Sequence, residues 1–324
     1  MAEESPPLSP PAEESIEAET DTAPEPEPES GEPAPETASE TGFVCGSEER
    51  VRSACKGLHF YKEHESRRYC VLHYPDKEKS ADFKAALDGK LNNKDFDFRG
   101  VWFPDEVDLR SFEFSADADF SNAQFRTNAY FDDATFSANA RFSHTAFSAD
   151  ANFNLAKFVE FANFSEAKFG AKARFLAAKF SANAGFRDAR FSADASFCGA
   201  TFGANAFFGG ATFSGDVDFS YAVFHDHLRF SGTQSFGRSS LDLQFVRVEK
   251  PDRVSFHSVK LHPHWLVNVD PRDFAFIDVS WEWTAKSIER EIQNITNKKS
   301  VVAPSPACHS LRSARRKRRS EQPL

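Results

Sequence analysis

No run of about eighteen apolar residues occurs anywhere in the 324 residues, so a membrane-spanning helix is not expected. Met1 is followed by acids and prolines, not by a basic stretch and an apolar core, so no targeting segment is expected either. Cysteine is sparse, at five residues and an odd number, and without a secretion signal a reducing cytoplasm is the expected compartment. No glycine-rich phosphate loop is present, and no nucleophile stands with a base. An enzyme is therefore not expected, and no catalytic residue or organic cofactor is assigned.

Basic residues are missing from one end and concentrated at the other. Residues 1 to 42 contain twelve Glu, one Asp, nine Pro and no Lys or Arg, a composition that reads as a disordered acidic tail. Residues 298 to 324 carry eight Lys or Arg against Glu321 and read as a disordered basic tail. Between them residues 43 to 297 are only four charges negative. The whole-chain charge of −10 thus describes a tail and says little about partners of the body.

What fills the middle is phenylalanine. From Phe114 to Phe230 a Phe returns at alternating steps of six and five residues, twenty-two times without a slip. Two residues before each stands a second fixed position, alanine at eighteen of the twenty-two. Residues two apart share one face of an extended strand. A helix fails on the five-residue step, which would send the next Phe about 140° around the axis, and the stretch also holds Gly199, Gly203, Gly209, Gly210 and Gly215. A fixed short period of this kind means a solenoid.

Ala-x-Phe at five-residue spacing resembles the pentapeptide-repeat proteins, in a Phe-centred variant with an eleven-residue, five-plus-six period. The resemblance implies an all-β solenoid, a right-handed four-sided β-helix with the alanine and Phe positions both pointing inward. Every second unit carries an extra residue three before its Phe, and eight of the eleven residues in that column are Asn or Asp, beginning Asp117, Asn128, Asn139, Asp150. Those side chains tolerate the left-handed conformation and bond their own backbone, so the extra residue is expected to widen two opposite corners. Two eleven-residue repeats then make one coil of twenty-two, and the β-helix runs from 96 to 283 in eight to nine coils.

The ends differ from the middle. Residues 43 to 95 form a small Cys/His segment plus a helix over Ser80–Leu91, with Phe83, Leu87 and Leu91 on one side and Ser80 placed to cap it. That helix is read as the N-terminal cap covering the open strand edge. In the first coil the inward partners are bulky, as in Phe96/Phe98, Val101/Phe103 and Val107/Leu109. At the far end Val254/Phe256, Val259/Leu261, Phe274/Phe276 and Val279/Trp281 keep the same relation, and residues 284 to 297 read as a closing helix.

One constellation carries chemistry. Cys45, Cys55, Cys70 and His73 are spaced C-x9-C-x14-C-x2-H. Three thiolates and an imidazole complete a tetrahedral zinc shell, and C-x2-H is a natural half-site. These four are the candidate ligands of a structural zinc, with His59 and His64 in reserve; without a second tight knuckle, an inert reduced cluster remains the competing reading. Cys198 and Cys308 are read as isolated. His225, Asp226 and His227, with His257, His262 and His264, fall at outward or corner positions or beside Pro263 and Trp265, and packing explains them as readily as chemistry.

A rod filled with Phe and Ala leaves only its outer faces for work. The expected function is a non-enzymatic scaffold that binds a protein partner there. The alternative within the resemblance is mimicry of a nucleic-acid duplex, as in relatives that bind a topoisomerase through an acidic surface. Charge weighs against it, since Phe112 to Gly232 carry thirteen acids and ten bases, far from a phosphate-like field. Nucleic acid is thus not the expected partner, and a homodimer would form through a solenoid end.

Overall fold

Each Ala-x-Phe unit forms one short strand in the computed structural model, which describes residues 43–232, 240–266 and 269–281, the side chains at 263 and 264 excepted. The strands stack into four parallel walls, of eight, six, seven and seven strands. On the first wall Ala118, Ala140, Ala162, Ala184 and Ala206 pair in succession. On the second, third and fourth the same step of twenty-two joins Phe125 to Phe147, Ala129 to Ala151 and Phe136 to Phe158. A coil is therefore twenty-two residues, and the first wall's eight strands make it a solenoid of about eight turns.

Both fixed positions face inward. Phe175 and its neighbours one coil away, Phe153 and Phe197, are fully buried and stack face to face at 5.0 Å and 4.9 Å, within 3° of parallel. Rings on opposite walls meet edge to face, as Phe142 of the first wall and Phe153 of the third do at 5.3 Å and 84°. Both geometries suit the ring quadrupole. Alanine at the second position leaves the room those rings occupy, and Ala173 and Ala184 are themselves buried.

The corners correct one expectation. The left-handed conformation is held not by the extra Asn or Asp but by another column, Ser111, Asn122, Asp133, His144, Leu155, Glu166, Ala177 and Asp188, with φ between 52° and 62°. In these tight corners a carbonyl such as that of Phe120 accepts the N–H of Ala123 at 3.0 Å, the turn that places one positive φ at its third residue. The extra residue sits in the two other, opposite corners. There it bonds not its own backbone but the next coil's: Asp117 Oδ1 accepts the N–H of Asn139 at 3.1 Å and Asp150 that of Lys172 at 3.1 Å. The side chain thereby satisfies a backbone donor that the short strands leave unpaired.

Regularity fades after Phe230. Val217 pairs with Leu241 and Val223 with Arg247, twenty-four residues on, and Leu228 pairs with Val254, twenty-six on. Val254, Phe256, Val259 and Leu261 keep the inward pattern and are buried. Trp281 departs from it, being 41% exposed, because no further described strand stacks upon its own. The tails at 1–42 and 298–324, the helix expected at 284–297, the last residues of the β-helix up to 283 and Cys308 all lie outside the described residues.

At the other end helix α1 spans Ser80–Asn92. Phe83 is buried with its ring edge-on to Phe103 at 5.4 Å, and Leu87 and Leu91 pack on the same core. Ser80 does not cap it. A 3-10 turn, Lys77–Lys79, leads into the helix, so the free N–H groups come earlier and the Asp76 carboxylate accepts from Glu78 at 2.9 Å.

Candidate metal centre

Four short segments bring the candidate ligands together. Cys45 lies in irregular chain shortly after Phe43, and Cys55 ends the 3-10 helix Glu49–Cys55. A hairpin, β1 (Lys62–His64) and β2 (Arg67–Tyr69), delivers Cys70 at its exit. Its two-residue connection, Glu65 and Ser66, has positive φ at both positions, the geometry whose twist matches the strands. One turn later the N–H of His73 bonds the carbonyl of Cys70 at 3.2 Å, closing the C-x2-H half-site.

The three sulfurs and one ring nitrogen lie within 4.8 Å of one another, and Cys45, Cys70 and His73 are buried. Cys45 and Cys70 Sγ are 3.8 Å apart, Cys70 and Cys55 Sγ 3.5 Å, and His73 Nδ1 stands 3.1 Å and 3.2 Å from the sulfurs of Cys55 and Cys70. Tetrahedral bonds of about 2.3 Å to sulfur separate two sulfurs by about 3.7 Å, so the spacing fits a single small ion. His73 Nε2 lies 2.8 Å from the carbonyl oxygen of Arg99. A carbonyl only accepts, so Nε2 carries the hydrogen and Nδ1 turns its lone pair toward the sulfurs, the outer-shell arrangement that orients ligating histidines. This cluster can hold a metal ion. His59 and His64 do not join it: His59 is exposed and His64 lies edge-on to Tyr74.

Crowded thiols cannot all carry charge without a cation among them. Hydrogen bonds from Cys55, then Cys70, pull the Cys45 thiol well below its usual range against its burial, while the same contact with Cys45 pushes Cys55 far upward. With no cation among the sulfurs, burial pulls His73 down, but its contacts with Cys45 and Cys70 outweigh that and raise it to about 9, so an ion would take the Nδ1 lone pair by displacing a proton.

Beside the cluster sits a residue no sequence signal marked. Lys79 is fully buried, and its ammonium donates to the carbonyls of Val71 and Leu72 at 2.7 Å and 2.9 Å. The same group lies over the rings of Phe83 and Trp102, at 4.7 Å and 5.3 Å. Burial lowers it to about 7. Lys79 ties the segment between Cys70 and His73 to the helix and to the first coil.

The other sequence candidates make ordinary contacts. His225 pairs with Glu249 at 2.8 Å, and Asp226 is held by Lys250 and Arg253 at 2.6 Å each, which keeps its carboxyl well below the usual range. His262 packs on Trp265 with ring centres 4.6 Å apart. Cys198 is buried, packed with Leu176 and Tyr221. Among the described residues the Cys45, Cys55, Cys70, His73 cluster is the one group with metal-ligand spacing.

On the outer faces Lys157 stands beside Lys179 on the fourth wall, and Lys168 beside Arg190 on the second. The four bases that recur every eleven residues are thus divided between opposite walls. No helix among the described residues is long and apolar enough to cross a membrane. No curated protein matches the chain. The family model described as pentapeptide repeats, nine copies, matches residues 109–157, and the same unit continues through the walls built by the later Phe series. The chain thus carries pentapeptide repeats, in a variant centred on phenylalanine.

Proposed function

We propose that the chain is a non-enzymatic scaffold, holding a protein partner on the outer faces of its β-helix, with a structural zinc bound by Cys45, Cys55, Cys70 and His73 at the N-terminal end. The filled interior carries this reading: Phe rings stacked about one strand spacing apart leave no space for a ligand along the regular coils. Work is then left to outward side chains on rigid walls. The zinc fixes the segment that covers the first coil, which helix α1 alone covers only in part. Interleaved charge disfavours duplex mimicry, since acids such as Asp133 and Asp150 pair with Lys157 and Arg174.

Two measurements test the two halves. Treating the full chain with a lysine-reactive crosslinker in an extract of its source cells, followed by mass spectrometry, is expected to join a protein to Lys157, Lys168, Lys172 or Lys179. Crosslinks confined to residues outside 96–281, or none, would reject the scaffold. Elemental analysis of the purified chain is expected to find one zinc per molecule, and a stoichiometry near zero removes the metal.

A further inference from the structure

The corner that precedes the first wall reads Ser115-Ala116-Asp117, Ser137-Ala138-Asn139, Ser181-Ala182-Asn183 and Gly203-Ala204-Asn205, but in one coil it reads Val159-Glu160-Phe161. Where its neighbours hold a side chain that bonds the next coil's backbone, as Asn183 does to Asn205 at 3.2 Å, this coil presents apolar atoms that cannot. Val159 is 43% exposed and Phe161 38%. On the adjoining wall Phe207, also 38% exposed, occupies an outward position that holds Arg141, Asn163 and Arg229 in other coils. Between the two rings, paired in register with Phe207, the outward position is Gly185.

That glycine is not required by the backbone or by packing. It is absent from the positive-φ positions, and a Cβ placed there would meet nothing closer than 3.7 Å, with Phe161 Cζ among the nearest atoms. Glycine inside a strand weakens it and often marks a close approach by another molecule. Here its bare backbone floors an open hollow of about 690 Å³, walled by Phe161, Phe207, Asn183, Arg187 and Arg229. Arg187 is paired with Asp188 at 3.2 Å, whereas Arg229 has no ion-pair partner among the described residues. Asp188 also lines the hollow and offsets Arg187, so the hollow is apolar at its centre and the uncompensated charge at its rim is that of Arg229. Its base is firm, because Ala206–Gly209 and Leu228–Ser231 are four-residue strands where the four earlier strands of the wall have two.

We propose that this hollow is the docking point of the scaffold for a partner peptide whose Phe, Tyr, Trp or Leu side chain lies over Gly185 between Phe161 and Phe207. A carboxylate within two residues of that side chain meets Arg229. The proposal rests on the scaffold reading above and adds the place and the chemistry of the contact. An apolar anchor in a pocket with a charged rim is how small interfaces concentrate their binding energy, and exposed aromatic patches on soluble rods mark such sites.

A random twelve-residue peptide library displayed on phage, selected against the full chain, is expected to enrich an aromatic or Leu residue within two positions of Asp or Glu. Binding of those peptides should weaken at least tenfold in Phe161→Asn, which restores the repeat's own residue and with it the backbone bond. Gly185→Leu, which sends a side chain into the hollow from a Cβ that meets nothing closer than 3.7 Å, should weaken it as much, and Arg229→Ser about threefold or more. Peptides that bind both of the first two variants unchanged, or no enrichment at all, overturn the hollow; the crosslinking test of the scaffold reading is decided separately. Sedimentation showing a dimer that Phe161→Asn converts to monomer would instead assign the patch to a second copy of the chain and overturn the peptide.

Discussion

The rod and the segment that covers its first coil are held by opposite means. Along the rod one contact, ring on ring, recurs every twenty-two residues between partners placed close by the winding of the chain. In the N-terminal segment each contact occurs once: Cys45 meets Cys70, His73 meets the carbonyl of Arg99, and Lys90 reaches Asp95 at 2.6 Å and the carbonyl of Ala54 at 3.3 Å. Repetition makes the rod's stability a sum of similar neighbour terms. The segment depends instead on a few polar convergences, so removing one member affects the whole of it.

The largest effect is expected where repetition is densest. Phe175→Ala removes a fully buried ring from between two parallel rings and should destabilise the chain by about 3 to 5 kcal/mol. Chemical denaturation measures this, and an unchanged midpoint would break the picture of the rod as a ring stack. Cys70→Ser should act on the segment alone. Zinc should fall from one per chain to none, and hydrogen exchange should quicken over 43–95 while 118–230 keep their protection, because a structural site supplies folding energy only to what it holds. Exchange that quickened equally in both regions would erase the contrast.

Lys79 sharpens the comparison through pH. Its folded value of about 7 lies below the ordinary 10.5, so between these values the unfolded chain binds more protons and stability rises with pH. Below about 7 the full burden of a buried ammonium is present. Lys79→Met should therefore raise the melting temperature relative to the unaltered chain more at pH 6 than at pH 9. A pH-independent difference would mean that the carbonyl bonds to Val71 and Leu72, not burial, set its effect. The smallest change belongs to the corners: Asp150→Ala loses the bond to the N–H of Lys172 and the half-exposed pair with Arg174 at 2.7 Å, about 1 kcal/mol.

Most of the rod was legible because its two inward positions repeat at a fixed period that no helix can accommodate. The period also placed Lys157 beside Lys179 and away from Lys168. What the period could not say is which residue turns the corner. Asn and Asp are as suited to a left-handed turn as to bonding a neighbouring coil, and only the path of the backbone separates those uses; Leu155 and Ala177 took the strained position because the turn needs one there whatever the side chain. In the N-terminal segment the four Cys and His were visible by type, but their convergence depends on a hairpin and two short turns that carry no periodicity. Lys79 gave no signal, since a lysine next to a helix start reads as solvated. Phe161 did give one, as the one Phe in a column mostly of Asn and Asp, and its meaning emerged only when Gly185 and Phe207 were seen beside it.

The placement of the extra residue in opposite corners gives each coil an approximate twofold relation between its halves, and this constrains how such a chain can change length. Inserting or deleting one eleven-residue repeat would leave every inward Phe and Ala in place. It would also turn all later coils by half a revolution, moving Arg229 and Phe207 to the far side from Phe161. A twenty-two-residue duplication within the regular coils would lengthen the rod with every outward column in line. Selection on the core alone would not distinguish the two events, whereas selection on a surface built from several coils would retain only the second.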